Sequence, residues 1–174
     1  TLRTGRTSLG DKEPTVIGTG IETNIVSKHF DIVILDDVVV RENTETIEQI
    51  DKVIKRYRDT INLMETNAQL LLIGTRWVDN DLYGWLLDPD NTQRTHFKTF
   101  VRGALEWDGP IDLALKEGQG FINSLWPEKF NRLALRKIEA GIGDYQWASL
   151  YQQRPAPAGG GMFDVAKLRL NIVN

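Results

Sequence analysis

Phe30-Asp31-Ile32-Val33-Ile34-Leu35-Asp36-Asp37 is the stretch that decides the fold. An unbroken aliphatic run over residues 32–35 predicts a strand buried on both faces of a sheet. The run ends in two adjacent carboxylates. Open α/β sheets bind ligands beyond the C-terminal ends of their strands, which is where Asp36 and Asp37 fall. Neighbouring anions repel, so the pair requires a compensating cation or a hydrogen-bond network. Magnesium suits it, because that ion takes hard oxygen ligands and retains waters and phosphate oxygens. The competing reading is an ordinary strand end whose acids cap a following turn or helix.

Working outward, apolar residues Ile47, Ile50, Val53, Ile54, Tyr57, Ile61 and Met64 recur every three or four positions. That spacing predicts a helix over about 44–66, capped by Asn43 or Thr44. Leu70-Leu71-Leu72-Ile73 then predicts a second strand buried on both faces, again ending in polar residues, Thr75 and Arg76. Strand, helix and strand make a right-handed parallel crossover. Asp36, Asp37, Thr75 and Arg76 are therefore expected at one edge of one sheet. An apolar strand closing on Asp-Asp also has the form of a Walker B strand in a P-loop NTPase, whose first acid anchors magnesium and whose next polarises the attacking water. The phosphate-binding pattern G-x-x-x-x-G-K-[ST] occurs nowhere in the 174 residues; Gly18 and Gly20 are not followed by it.

Composition narrows the class. With 174 residues, 41% of them hydrophobic and 26% charged, the chain can build a globular core. A net charge of -3 gives no global basic signature, which argues against a dedicated nucleic-acid module but not against a local basic face. The chain has no cysteine, so disulfides and thiolate metal sites are excluded. No apolar run approaches the ~20 residues of a membrane helix, and no signal peptide opens the chain. An intracellular protein with no membrane partner is expected, and the polar start and unfinished end suggest a piece of a longer chain.

Further along, Asp79-Asn80-Asp81 predicts the cap of a short helix through Leu82, Trp85 and Leu86. Alternation over residues 96–105 predicts another strand. Trp126-Pro127 opens a helical hairpin with Leu133, Ile138 and Ile142 on one face and a second helix over 145–153. Pro155 begins a Pro/Gly/Ala linker that reaches Gly161. The five tryptophans are expected mostly in cores.

In order along the chain, Phe30-Asp-Ile-Val-Ile-Leu-Asp-Asp37, Gly74-Thr-Arg-Trp-Val-Asp-Asn-Asp-Leu-Tyr-Gly84 and Trp147-Ala-Ser-Leu-Tyr-Gln-Gln-Arg-Pro155, followed by the Gly-rich hinge and Met162-Phe163, resemble the large terminase subunit of tailed double-stranded DNA bacteriophages. The likeness covers about residues 14–163. It implies an ATP-driven motor that packages viral DNA into procapsids in the host cytoplasm. The fold implied is α/β: part of a P-loop NTPase of the additional-strand class, a mainly parallel sheet flanked by helices, with a small helical lid. Residues 1–106 would form the C-terminal part of the ATPase core, 107–154 the lid, and 155–174 the linker and the start of a nuclease domain. ATP and Mg2+ are the implied cofactors. Double-stranded DNA, the portal protein, the small terminase subunit and a homo-oligomeric ring are the implied partners.

Carried over residue by residue, Asp36 matches the magnesium-binding acid and Asp37 the catalytic acid, which also reaches the metal through water. Asp stands at 37 where Glu is commoner, so Glu42 is an alternative acid. Thr75 matches the coupling-motif hydroxyl that senses the γ-phosphate and relays hydrolysis to the lid, and Arg76 beside it, counted with the catalytic residues, pairs with an acid or a phosphate. No arginine finger is identified; Lys28 is the nearest cation. The phosphate loop is expected upstream of Thr1 and the nuclease acids beyond Asn174. Arg132, Arg136 and Lys137 are candidates for DNA-backbone contact. A helicase-like P-loop ATPase and a non-catalytic α/β interaction domain are the alternatives.

Overall fold

The computed structural model describes residues 16–23, 28–91, 97–106 and 123–156. The expected boundaries at 107 and the linker beyond Ala156 lie outside them. Strand β1 is Phe30–Asp36 and strand β2 is Met64–Ile73, joined by helix α1, Ile47–Ile61. The two strands pair in parallel, with Val33 opposite Leu70, Leu35 opposite Leu72 and Asp36 opposite Ile73. The described residues are thus mixed α/β, with a small parallel two-stranded sheet.

Thr46 caps α1, not Asn43 or Thr44. Its hydroxyl accepts from Gln49 N at 3.3 Å while Gln49 Oε1 accepts from Thr46 N at 2.9 Å, a reciprocal capping box. Asn43 is otherwise engaged: its amide donates to Val38 O and accepts from Val40 N, bracing the loop after β1. The helix also ends earlier than its apolar stripe suggests. Met64 fits the helical period, but Phe30 N donates to Leu63 O at 2.9 Å and Met64 pairs with Phe30, so residues 64–66 join the sheet.

Ile50, Val53, Ile54 and Tyr57 form the buried stripe of α1 and pack with Leu35, Val39, Leu82 and Leu86. Each such side chain, fully buried, contributes roughly 1.5–3 kcal/mol. Leu82 and Leu86 belong to helix α2, Leu82–Leu87, capped by Asp81 as expected. Tyr57 meets the Trp85 ring edge-on at 6.1 Å, and the Arg58 guanidinium lies 5.1 Å above the same ring. The basic face of α1 is therefore partly occupied: Lys52 pairs with Glu22 and Arg56 with Asp59.

Burial of both strands on two faces does not hold. Val33, Leu35, Leu70 and Leu72 face α1, whereas Ile32 is 63% exposed and Ile34 59%, with Leu71 and Ile73 about half exposed. Helices α1 and α2 pack on one face of the two-stranded sheet, and among the described residues the aliphatic side chains of the other face stay largely exposed.

A second cluster gathers Leu105, Leu135 and Trp147. Residues 97–104 form no strand; instead β3, Leu105–Glu106, pairs antiparallel with β4, Asn123–Ser124. Leu105 thereby packs with the helical hairpin rather than with the parallel sheet. Asn131 caps α3, Arg132–Ile142, and Gly143 ends it at φ +81°, a conformation suited to glycine. Helix α4, Asp144–Gln146, widens into a π-helical turn over Trp147–Tyr151, where Trp147 and Tyr151 stack at 5.0 Å. Of the tryptophans, Trp147 is buried, Trp77 and Trp85 pack partly against the first cluster, and Trp126 is 56% exposed.

Candidate functional site

The βαβ crossover brings the two strand ends side by side. Asp36 is opposite Ile73, and Asp37 N donates to Ile73 O at 3.0 Å, so the chain leaves both strands at one edge with Asp37 and Gly74-Thr75 adjacent. Asp37 has φ +46°, the left-handed region that non-glycine residues avoid and that Asp and Asn tolerate best. The backbone reverses sharply there, and both acids remain exposed. Among the described residues neither carboxylate accepts a hydrogen bond, and the half-buried Thr75 hydroxyl makes none. A cleft of about 650 Å³ runs along β1 and reaches Asp36 and Asp37, and Gly18, Thr19 and Gly20 also line it.

Arg76 does not join the acids. Its Nε donates to Asp81 Oδ1 at 2.9 Å, and its Nη2 donates to the carbonyls of Asp79 at 2.7 Å and Val78 at 3.3 Å. Its acidic partner in the structure is Asp81. Asp81 is fully buried and also accepts from Trp77 N, Val78 N and Gly84 N. One carboxylate thus holds a guanidinium, caps α2 and shapes the loop after β2. Glu42 lies in a 3-10 turn, Arg41–Asn43, exposed beyond the acids.

Tyr83 was not singled out by its sequence context, yet it belongs to this edge. Its hydroxyl donates to Ile73 O at 3.0 Å. A Cβ on Gly74 would come within 1.8 Å of the Tyr83 hydroxyl oxygen, so a side chain there would push the phenol from its place. Burial, and then the charges of Asp37, Asp81 and Asp36, push the phenol well above the usual tyrosine range. The pairing of Gly74 with Tyr83 spans nine positions of loop and helix, with no periodic signal to reveal it. The sign of the pH effect follows: the folded state holds the phenol proton more tightly than the unfolded state does. The associated stability is present below the unfolded value of about 10 and is lost as pH rises through the folded one. Tyr83→Phe is expected to flatten the fall in urea-unfolding stability above pH about 10, and an unchanged alkaline slope counts against it.

Two adjacent exposed carboxylates, with a hydroxyl on the neighbouring strand end, fit magnesium, which is commonly held by one or two carboxylates plus waters and phosphate oxygens. Among the described residues no group of three or more His, Cys, Asp or Glu side chains is placed to hold a metal by itself. None of the described helices is long and apolar enough to cross a membrane. No protein-family model matches the chain, and no curated protein matches it.

Proposed function

We propose that this chain is the Walker B and coupling portion, with an attached helical lid, of the ATP-hydrolysing large terminase subunit that packages double-stranded viral DNA. The observation that carries it is the direct parallel pairing of β1 with β2, which sets Asp36 and Asp37 beside Gly74 and Thr75. In the additional-strand class of P-loop NTPases a strand lies between those bearing the phosphate loop and the Walker B acids. β2 takes that position if the phosphate-loop strand pairs with its other edge.

In this reading Asp36 would hold magnesium, Asp37 would orient and polarise the attacking water, and the Thr75 hydroxyl would serve as the γ-phosphate sensor. Bound magnesium would neutralise charge building on the phosphate oxygens. Arg76 acts as a brace for the loop that presents Thr75, being committed to Asp81. On the lid, Arg132 and Lys137 are exposed for a DNA backbone or a portal surface, while Arg136 is paired with Glu139 at 2.5 Å. Ring assembly, the small terminase subunit and a nuclease domain complete the motor.

The test is magnesium-dependent, DNA-stimulated ATP turnover by the full-length gene product, abolished by chelation. The 174 residues alone carry no phosphate-loop pattern, so they are expected to show no turnover above background in a phosphate-release assay. Turnover by this chain alone would contradict the assignment. The uncovered apolar face of the sheet favours a second reading, a non-catalytic α/β interaction domain. A full-length product that neither binds nor hydrolyses ATP would select it.

A further inference from the structure

Two local irregularities meet at Gln153. The preceding helix is π-wound over Trp147–Tyr151, a geometry that recurs at functional sites. Gln153 itself has φ +56°, in a capping position where glycine is usual. Backbone held in that region by a non-glycine residue persists only where its surroundings demand it. Here the side chain shows what is gained. Gln153 Oε1 accepts from Arg76 N at 3.0 Å, a bond across 77 positions of sequence, and Gln153 Nε2 donates to Leu150 O at 2.7 Å. The amide therefore ties the last turn of the helical hairpin to the residue that follows Thr75.

Both ends of this link are stiff. The Arg76 guanidinium is held by Asp81 and two carbonyls, and the next backbone N–H, that of Trp77, donates to Asp81 Oδ2 at 2.9 Å. Gln153 is fixed by its backbone bonds, with Gln153 N donating to Ser149 O at 3.1 Å and Arg154 N to Ala148 O at 2.7 Å. Tyr151 O accepts from Ala104 N at 2.7 Å, which joins the same turn to the residue before β3. A groove of about 410 Å³ lies beside the link, lined by Leu71, Gly74, Tyr83, Phe100 and Gln153. A shift of the residue 74–76 loop would have to break the bond to Gln153 or drag the hairpin with it.

We propose that Gln153 is the positioning residue that couples the Thr75–Arg76 loop to the helical hairpin. Its carboxamide passes a change at the sheet edge to α3 and α4. The coupling rests on the nucleotide-binding function proposed above. The side chain acts through the Arg76 amide and touches no reacting atom.

Gln153→Gly separates the side chain from the backbone. Glycine fits the left-handed conformation better than glutamine, so folding is retained while the carboxamide is removed. Gln153→Glu keeps an oxygen that can accept from Arg76 N and gives up only the donation to Leu150 O. Amide hydrogen exchange is followed on the full-length protein, with and without magnesium and a non-hydrolysable ATP analogue, and analogue binding is measured separately.

In Gln153→Gly, protection of the Arg76 amide is expected to fall about tenfold. Analogue binding stays within about threefold of wild type. The nucleotide-dependent change over residues 132–154 disappears, and Gln153→Glu restores it. Unchanged Arg76 protection in Gln153→Gly overturns the link. Lost protection with an intact response over 132–154 overturns the coupling and leaves a purely structural bond. Analogue binding that produces no response in wild type overturns the coupling alone, whereas no binding overturns both the coupling and the ATPase function.

Discussion

On the ATPase function proposed above, Asp37→Asn in the full-length gene product is expected to lower the rate of ATP hydrolysis by about 10²–10⁴-fold, the usual contribution of a positioned general base. The substitution is nearly isosteric, and Asn tolerates the φ of +46° at this position as well as Asp does. The Asp37 N–H bond to Ile73 O belongs to the backbone and survives. Removal of the charge also lessens repulsion with Asp36. Stability is thus expected to stay within about 0.5 kcal/mol of wild type, as for a surface substitution away from packed features. Steady-state phosphate release together with a urea unfolding curve checks both halves. Retained turnover would remove Asp37 from the catalytic role and make Glu42, exposed in the turn that follows, the acid to test.

The convergence of Asp36, Asp37 and Thr75 is legible because it follows from topology. A helix between two apolar strands is the usual crossover of a parallel pair, and parallel strands deliver their C-terminal ends to one edge. The helix between them is legible from its stripe, but its boundaries are not. Thr46 wins the cap because Gln49 reciprocates three residues on, and Met64 is claimed by the partner strand.

Burial is harder to read. An aliphatic run states that both faces can be covered, not that both are, and Ile32 and Ile34 show the difference. Alternation over residues 97–104 fails for a related cause: period two describes a strand only where a neighbour accepts its hydrogen bonds, and the available partner, β4, meets only residues 105–106. The choice of Arg76 for Asp81 depends on burial, which spacing alone does not supply. The Gln153 link depends on a meeting of residues 77 apart, and no local pattern announces it.

Asp81→Ala is expected to destabilise the protein by about 3–5 kcal/mol, the range for removing one partner of a buried ion pair. Four donors lose their acceptor at once: Arg76 Nε and the backbone N–H groups of Trp77, Val78 and Gly84. The carboxylate is wholly buried and its guanidinium partner only 12% exposed, so water does not replace those bonds readily. Arg76→Leu is expected to cost less. Asp81 then keeps three backbone donors that stabilise its charge, and the leucine retains part of the packing. In the double variant Arg76→Leu/Asp81→Ala no guanidinium is left stranded, so its cost should fall below the sum of the singles by about 1–3 kcal/mol. It should not return to wild type, because the α2 cap and the Trp77 and Val78 amides stay unsatisfied. Urea unfolding of the three variants measures these differences. An Asp81→Ala change within about 1 kcal/mol of wild type would mean that the carboxylate does not organise the loop. Thr75 would then owe its place at the sheet edge to strand pairing alone.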